Sequence, residues 1–301
     1  MSRSPLSSQL DAERAAILDR AAASVFAVES PRVRQTAFAW RGGLLVTAAE
    51  PLEGAESLRV LAEGTSGEGE VLACDLRTDI AVVRCAAAAA TPALTPAATP
   101  PRVGQTIAAV ARVAAGLTAS WGSVHLSAGP WTTRRGATLT RRLLLDVRLA
   151  HSAEGAPILD VDGGVMAMAV RGPAHQVLGI PIDAIETAVS DVVAHGHIAQ
   201  GYLGVRVVPL TLGTQARHRL NAGQAVLVVA DVAQPSPAFD AGLEIGDLLL
   251  AIDGEAVQGP ERLLGRIQGK RPGETLLLTR RRGAAVDELS LTLGARPTPA
   301  P

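Results

Sequence analysis

Short apolar runs separated by polar turns dominate this chain, and their spacing predicts its elements. Residues 9–23 are an exception, because their apolar positions recur at helical spacing and predict a short amphipathic helix within an N-terminal arm, residues 1–23. Between residues 24 and 85 the apolar runs are short, β-rich and bounded by Gly, Pro, Asp or charged residues. This pattern predicts six strands that close into one β-barrel.

A second group of six β-rich runs follows over residues 103–181 and predicts a second barrel. The intervening residues 86–102 are rich in Ala, Pro and Thr, so we expect an extended connector. Residues 182–196 then predict a helix that ends at Gly196. Residues 200–295 mix strands with one helix and predict a third unit, and the Pro-rich residues 296–301 predict a disordered tail.

Composition narrows the classes of function. Hydrophobic residues make up 48% of the 301 residues and aromatic residues only 2%, so the cores must be built from aliphatic side chains. The net charge of −1 gives no electrostatic footprint for nucleic acid. No apolar run approaches the roughly 20 residues that a membrane-spanning helix needs. These features predict neither nucleic acid nor a bilayer as a partner.

The cysteines and the N-terminus indicate a compartment. A turn centred near Leu76 and Arg77 would place Cys74 opposite Asp79 rather than Cys85, so we expect no disulfide, which fits a reducing environment. The polar N-terminus has no apolar signal segment. We therefore expect a cytoplasmic protein, or a periplasmic one if the start site is misassigned.

Several motifs resemble those of the HtrA (high-temperature-requirement) serine proteases. They are the stretches GLLVTAAEPLEGAESLRV at residues 43–60, DLRTDIAVVR at 75–84 and DVRLAHSAEGAPILDVDGG at 146–164. The resemblance implies a mainly β fold, a trypsin-like double six-stranded β-barrel over residues 24–199 followed by a PDZ domain over residues 200–295. It also implies a possible trimer, but the aromatic residues that support it in the family are missing here before Phe26.

The same resemblance assigns the three triad positions to Glu50, Asp79 and Glu154. Only Asp79 matches the family, since Glu50 stands at the general-base His and Glu154 at the nucleophilic Ser. A working triad needs a hydroxyl whose proton is taken by an imidazole with a pKa near neutrality. A glutamate has a reference pKa of about 4.3 and no hydroxyl, so we expect an inactive triad.

The loop before Glu154 is altered as well. Ser152 and Ala153 occupy the oxyanion-loop positions, and Ser152 replaces a glycine whose backbone freedom aims N–H groups at the oxyanion. His151 and Ser152 together suggest a rebuilt nucleophile and base, although adjacent side chains on one loop rarely face each other. Alternatively, the three carboxylates converge and share a proton or a cation, or they simply point into water.

The third unit contains a predicted peptide site. Residues 201–205 resemble the carboxylate-binding loop of HtrA-type PDZ domains, where successive backbone N–H groups form a nest for a terminal carboxylate. The helix after Pro260 brings three apolar residues to helical spacing, either as a pocket wall or as core. The predicted peptide-binding residues are Gly201, Tyr202, Leu203, Gly204, Val205, Leu263, Leu264 and Ile267.

Three hypotheses of function follow. The first is a catalytically inactive protease homologue whose PDZ domain binds polypeptide C-termini or unfolded segments. The second is an active serine endopeptidase of protein quality control, and the third, minor one is an acidic cleft that binds a cation. No cofactor motif or metal-ligand set is evident, because His195 and His197 flank a helix end where histidine favours the helix dipole.

Overall fold

The computed structural model describes residues 5–31, 33–62, 64–113, 116–196, 198, 201–213, 225–257, 259–268 and 270–295. They fall into two compact units, Met1–Thr133 with Thr138–Ile198 and Arg134–Ala137 with Ala199–Pro301. The fold is mainly β, with two closed six-stranded barrels in the first unit, as the sequence predicts. The predicted tail at residues 296–301 and His197 lie outside the described residues.

The first barrel closes in the order β1-β2-β3-β6-β5-β4, with every neighbouring pair antiparallel. Its inward side chains form an aliphatic core that includes Leu45, Leu52 and Val83. The strands are β1 (Val25–Glu29), β2 (Arg34–Arg41), β3 (Leu44–Thr47), β4 (Ser57–Ala62), β5 (Thr65–Asp75) and β6 (Ile80–Cys85).

The second barrel closes in the order β11-β14-β13-β12-β7-β8, and β9 and β10 form a separate two-stranded sheet. Its core is again aliphatic and includes Ile107, Leu143 and Ile158. The strands are β7 (Thr106–Val113), β8 (Gly116–Ala128), β9 (Trp131–Thr132), β10 (Thr138–Leu139), β11 (Arg142–Asp146), β12 (Pro157–Leu159), β13 (Val165–Arg171) and β14 (Val177–Pro181).

Two helices cover the barrels. Helix α1 (Pro5–Ala22) buries Ile17 and Ala21 in the apolar cluster that both barrels share. It starts earlier than the sequence pattern indicates, because its first turns are polar and exposed and so lack helical periodicity. Helix α2 (Ile182–His195) buries Ile185 and ends at Gly196, whose φ of 75° is the left-handed conformation that glycine adopts readily.

The link between the barrels is extended, as predicted, apart from a 3-10 turn at Ala86–Ala88. The N–H of Leu94 donates to the carbonyl of Ala39 on β2, and the N–H of Ala97 donates to Val165 on β13. These bonds tie the link to one strand of each barrel. Because they satisfy its backbone groups, the Pro-rich segment stays extended without belonging to either sheet.

One register prediction was wrong. Cys74 lies opposite Ala81 rather than Asp79, because the turn between β5 and β6 is longer than the one assumed and Asp75 pairs with Ile80. Cys74 and Cys85 lie opposite Ala81 and Gly69 respectively, and no disulfide joins them.

The second unit is built on a twisted antiparallel sheet in the order β16-β17-β18-β20-β21, with β19 beside β18 and β15 paired with β22. Its core is aliphatic and includes Leu227, Leu249 and Leu278. The elements are β15 (Gly201–Tyr202), β16 (Val205–Thr211), β17 (Ala225–Val232), α3 (Pro237–Asp240), β18 (Leu248–Ile252), β19 (Glu255–Ala256), α4 (Pro260–Gln268), β20 (Thr275–Arg282), β21 (Ala285–Thr292) and β22 (Gly294–Ala295).

Within the described part of the chain, no helix combines the length and apolar character needed to cross a bilayer.

Arg112 joins the two barrels and helix α1. It is buried on β7, where its Nε donates to the carbonyl of Val25 at 2.6 Å and its guanidinium NH2 donates to the carbonyl of Ala22 at 2.5 Å. Ala22 is the last residue of α1, so one of these bonds satisfies a carbonyl that the helix leaves open.

We expect Arg112→Met to lower the stability of the first unit by about 2–3 kcal/mol, since two charge-assisted hydrogen bonds are lost while the apolar stem is kept. For a unit of this size, the thermal midpoint should fall by about 5–10 °C. Calorimetry of the variant measures this shift. Arg59→Met on the exposed side of β4 is the matched control and should stay close to the parent protein; equal midpoints for the two variants would refute the role of Arg112.

Candidate functional site

Three loops carry the carboxylates that the sequence assigns to the triad positions. Glu50 starts a 3-10 turn, Glu50–Leu52, directly after β3. Asp79 ends the turn between β5 and β6 with a φ of 59°, a left-handed conformation that aspartate tolerates better than most residues. Glu154 follows a second 3-10 turn, His151–Ala153, that precedes β12. Each carboxylate therefore lies where a strand ends, as catalytic side chains of barrel folds often do.

Asp79 is bound to the backbone of the Glu50 loop. Its Oδ1 accepts hydrogen bonds from the N–H of Ala49 at 2.9 Å and from the N–H of Glu50 at 2.7 Å. In a triad the corresponding carboxylate would accept a hydrogen bond from an imidazole. Here it fixes the backbone of the residue at the general-base position instead.

Glu154 is bound to the end of β13. Its Oε1 accepts a hydrogen bond from the backbone N–H of Arg171 at 3.1 Å, and its Oε2 lies 3.5 Å from Nε of the same arginine. The Glu154 side chain is only 13% exposed. A carboxylate with so little contact with water needs a donor and a compensating charge, and Arg171 supplies them through its backbone N–H and its guanidinium group.

The acids influence each other electrostatically. Burial raises the pKa of Asp79 to about 7, the negative charges of Glu154 and Glu50 act in the same direction, and the two backbone donors oppose them. A metal site gains no support, because no three His, Cys, Asp or Glu side chains among the described residues are arranged to hold an ion.

The turn before Glu154 uses its own N–H groups internally. The N–H of Ala153 donates to the carbonyl of Ala150 at 3.0 Å, and the N–H of Glu154 donates to His151 at 3.5 Å. An oxyanion hole needs such groups to point at the substrate. The carbonyl of Ser152 accepts a hydrogen bond from Thr36 Oγ1 at 2.9 Å, which further fixes this turn.

Gly155 makes the turn possible. Its φ is 81°, and a Cβ at this position would lie 2.3 Å from the carbonyl oxygen of Thr36. No other residue fits here without moving β2.

Arg171 is a site residue that the sequence does not predict. Its position at the end of β13 attracts no attention by composition or spacing, and only the pairing of β12 with β13 brings it to Glu154. The pair could have been inferred from one signal. Arg171 is a cation without an evident role at the end of a barrel strand, and Glu154 is an acid without an evident role in the nucleophile loop.

The structure brings all eight predicted peptide-binding residues to one groove of about 510 Å³ in the second unit. The groove lies between α4 and β16, an edge strand that pairs only with β17 in the described sheet. At its closed end, the N–H groups of Leu203 and Gly204 donate to none of the described residues. Adjacent free N–H groups of this kind form a nest for an anion.

The two alternatives for the apolar residues of α4 are both present. Leu263 and Ile267 belong to the core of this unit, as the structural alternative predicts. Leu264 is 53% exposed and lines the groove. The first two therefore form the floor of the groove, and Leu264 forms its rim.

Comparisons with known proteins match this architecture. A family model described as a trypsin-like peptidase domain matches residues 35–168, and one described as a PDZ domain matches residues 201–293. A probable periplasmic serine endoprotease DegP-like from Brucella suis is 27% identical over 79% of this chain and 47% of its own length. One from Halomonas elongata is 29% identical over 85% of this chain and 55% of its own length.

Solved structures share the fold. The HtrA-type protease AlgW with a decapeptide has a TM-score of 0.60 and 22% identity, and the alignment covers 95% of this chain and 99% of that one. The serine endoprotease of Yersinia pestis has a TM-score of 0.60 and 19% identity, and the alignment covers 93% of this chain and 97% of that one. The chain therefore carries a trypsin-like peptidase domain followed by a PDZ domain, and it is similar to HtrA-type serine proteases.

Two facts qualify this similarity. It spans about half the length of the curated relatives that it matches. Our cytoplasmic expectation was wrong, because the matched relatives are named periplasmic and point to that compartment. That expectation rested on the polar N-terminus, but the start of a sequence need not show the segment that directs export.

The carboxylate cluster predicts a pH dependence of stability. The folded state binds a proton at Asp79 up to about pH 7, whereas the unfolded chain releases it near 3.8. Stability therefore decreases as the pH rises through this window and levels off above it. Asp79→Asn keeps both backbone hydrogen bonds but removes the charge, so it should be more stable than the parent at pH 8 by roughly 2–4 kcal/mol.

This difference should shrink to below about 1 kcal/mol near pH 4, where Asp79 is protonated in the folded parent and close to half protonated in the unfolded chain, whose pKa is 3.8. Chemical denaturation at pH 4, 6 and 8 measures it. Asp146→Asn at an exposed position is the control and should give no pH-dependent difference. If the Asp79 variant gave the same difference at all three values, the buried charge would not be its cause.

Proposed function

We propose that this HtrA-type chain binds polypeptide segments and does not hydrolyse them by the serine mechanism. The observation that carries the proposal is Glu154, which stands at the predicted nucleophile position and is held by Arg171 through its carboxylate. A carboxylate has no hydroxyl proton to give up, and its attack on an amide would form an anhydride while expelling a poor amine leaving group.

The other half of the proton relay is missing too. Glu50 stands at the predicted base position, and a carboxylate is a much weaker base than an imidazole near neutral pH. The N–H of Glu154 also donates to the carbonyl of His151 inside this turn, so it does not point towards a substrate. Base, nucleophile and oxyanion donor all depart from the arrangement that acyl transfer needs.

An active endopeptidase is the second candidate. The names of the relatives favour it, since both curated proteins are called serine endoproteases. Within this chain, the nearest available pair is His151 and Ser152 on the turn before Glu154. Consecutive residues of a 3-10 turn project in different directions, so this pair is poorly suited to act as base and nucleophile.

The peptide would bind in the groove between α4 and β16. An extended peptide can add to β16 through main-chain hydrogen bonds, place its carboxylate on the N–H groups of Leu203 and Gly204, and bury its last side chain against Leu263 and Ile267. The AlgW structures with a decapeptide and with a tripeptide support this proposal by their shared fold. The bound segment would be a polypeptide C-terminus or an unfolded stretch.

We expect the purified protein to leave unfolded casein intact and to resist labelling by a serine-directed fluorophosphonate. Loss of the triad lowers the rate of a serine protease about 10⁶-fold, below the detection limit of a casein assay. Ser152→Ala should change nothing. The double variant Glu50→His, Glu154→Ser restores the two missing groups and should become labelled. Cleavage by the parent protein that Ser152→Ala abolishes would establish the second candidate and exclude ours.

A peptide with an apolar last residue and a free carboxylate should bind, and the same peptide as a C-terminal amide should bind at least about tenfold more weakly because it loses the charged hydrogen bonds. Leu264→Asp should weaken binding about five- to thirtyfold by removing an apolar rim. Val286→Asp is a matched control, because Val286 is also 53% exposed but does not line the groove. Fluorescence anisotropy measures both; equal affinity of acid and amide would contradict the carboxylate nest.

A further inference from the structure

The walls of the groove carry opposite charges. Arg206 lies on β16 and Glu261 lies on the first turn of α4, and both line the groove and are exposed. Neither forms an ion pair with any residue that the structure describes. The two arginines of α4 differ from Arg206, because Arg262 and Arg266 both pair with Glu255. Arg206 and Glu261 are therefore the charges that remain available to an occupant of the groove.

The alternation of β16 fixes where Arg206 points. Val205 and Val207 pack against the core of the unit, so Arg206 between them faces the opposite side. A peptide whose carboxylate lies at Leu203 and Gly204 must run antiparallel to β16, with its last residue beside Val205. Its penultimate residue then lies directly beside Arg206 on the same face, where cross-strand charges interact.

The last residue and the third from the end share the other face and point towards α4. The C-terminal end of α4 lies beside the carboxylate loop, because the N–H of Gly201 donates to the carbonyl of Lys270 at 3.0 Å. Glu261 is six positions before Ile267, or about 9 Å along the helix axis. Two residues of an extended peptide cover about 7 Å, so a long side chain at the third position reaches Glu261.

We infer that the groove selects C-termini by charge order as well as by an apolar last residue. The preferred ending has a basic residue third from the end, an acidic penultimate residue and an aliphatic last residue. This inference rests on the proposed peptide binding and names its ligand class. The opposite order would place like charges beside Arg206 and Glu261 and would be rejected.

Two fluorescein-labelled decapeptides of identical composition test the inference, one ending in Lys-Glu-Val and the other in Glu-Lys-Val, both with free carboxylates. Anisotropy titration of the full chain at low salt should show that the first peptide binds about five- to thirtyfold tighter than the second. The first peptide gains two exposed charge pairs, whereas the second places like charges at both positions. The preference should shrink at 1 M salt, where the Debye length is about 3 Å.

The double variant Arg206→Glu, Glu261→Lys should reverse the preference. Glu288→Lys, an exposed change on β21 away from the groove, alters the net charge and should leave the preference unchanged. Equal affinity for the two peptides, or a preference that survives the double reversal, would overturn the charge-order inference and leave peptide binding intact. If neither peptide binds, the proposed function itself fails.

Discussion

A carboxylate removed from water must be supplied with donors, and for Glu154 these donors come from Arg171. The backbone N–H and the guanidinium group of this one residue approach the two oxygens of the side chain. The guanidinium also donates to the carbonyl of Leu149, on the other side of the 3-10 turn. Arg171 therefore spans the loop that would carry a nucleophile, and it determines both the shape of this loop and its chemistry.

Asp79 lies in a different environment. The backbone N–H groups of Ala49 and Glu50 both donate to its Oδ1. Burial is the main cause that raises the pKa of Asp79 to about 7, the nearby carboxylates of Glu154 and Glu50 act in the same direction, and the two backbone donors oppose them. Glu154 therefore has an arginine partner, whereas Asp79 is held by backbone donors.

The sequence predicts most of the fold because its signals are local. Runs of alternating residues bounded by turn formers indicate the strands of both barrels, and Gly196 marks the end of α2. What the sequence does not predict depends on register. The partner of Cys74 changes with the length of one turn, and Arg171 meets Glu154 only through the pairing of β12 with β13.

The predicted site residues show the same difference between local motifs and contacts that depend on register. The groove residues at 201–205 could be assigned in advance because a tight backbone conformation requires a local motif, including a φ of 83° at Gly204. The triad positions could be located by motif, but their interactions could not. Whether Glu154 points into water, towards a cation or towards an arginine is decided by side chains that are distant in sequence.

Hydrolysis and peptide binding place different demands on a sequence. Acyl transfer needs three particular side chains held to within about half an ångström, so a substitution at one position removes it. Strand addition uses the backbone N–H and carbonyl groups of β16 and the nest before it, which nearly every sequence provides. Substitutions at residues 50 and 154 therefore leave the determinants of the groove unchanged. The groove has its edge strand, its apolar floor and the charges of Arg206 and Glu261 whatever residues stand at the triad positions.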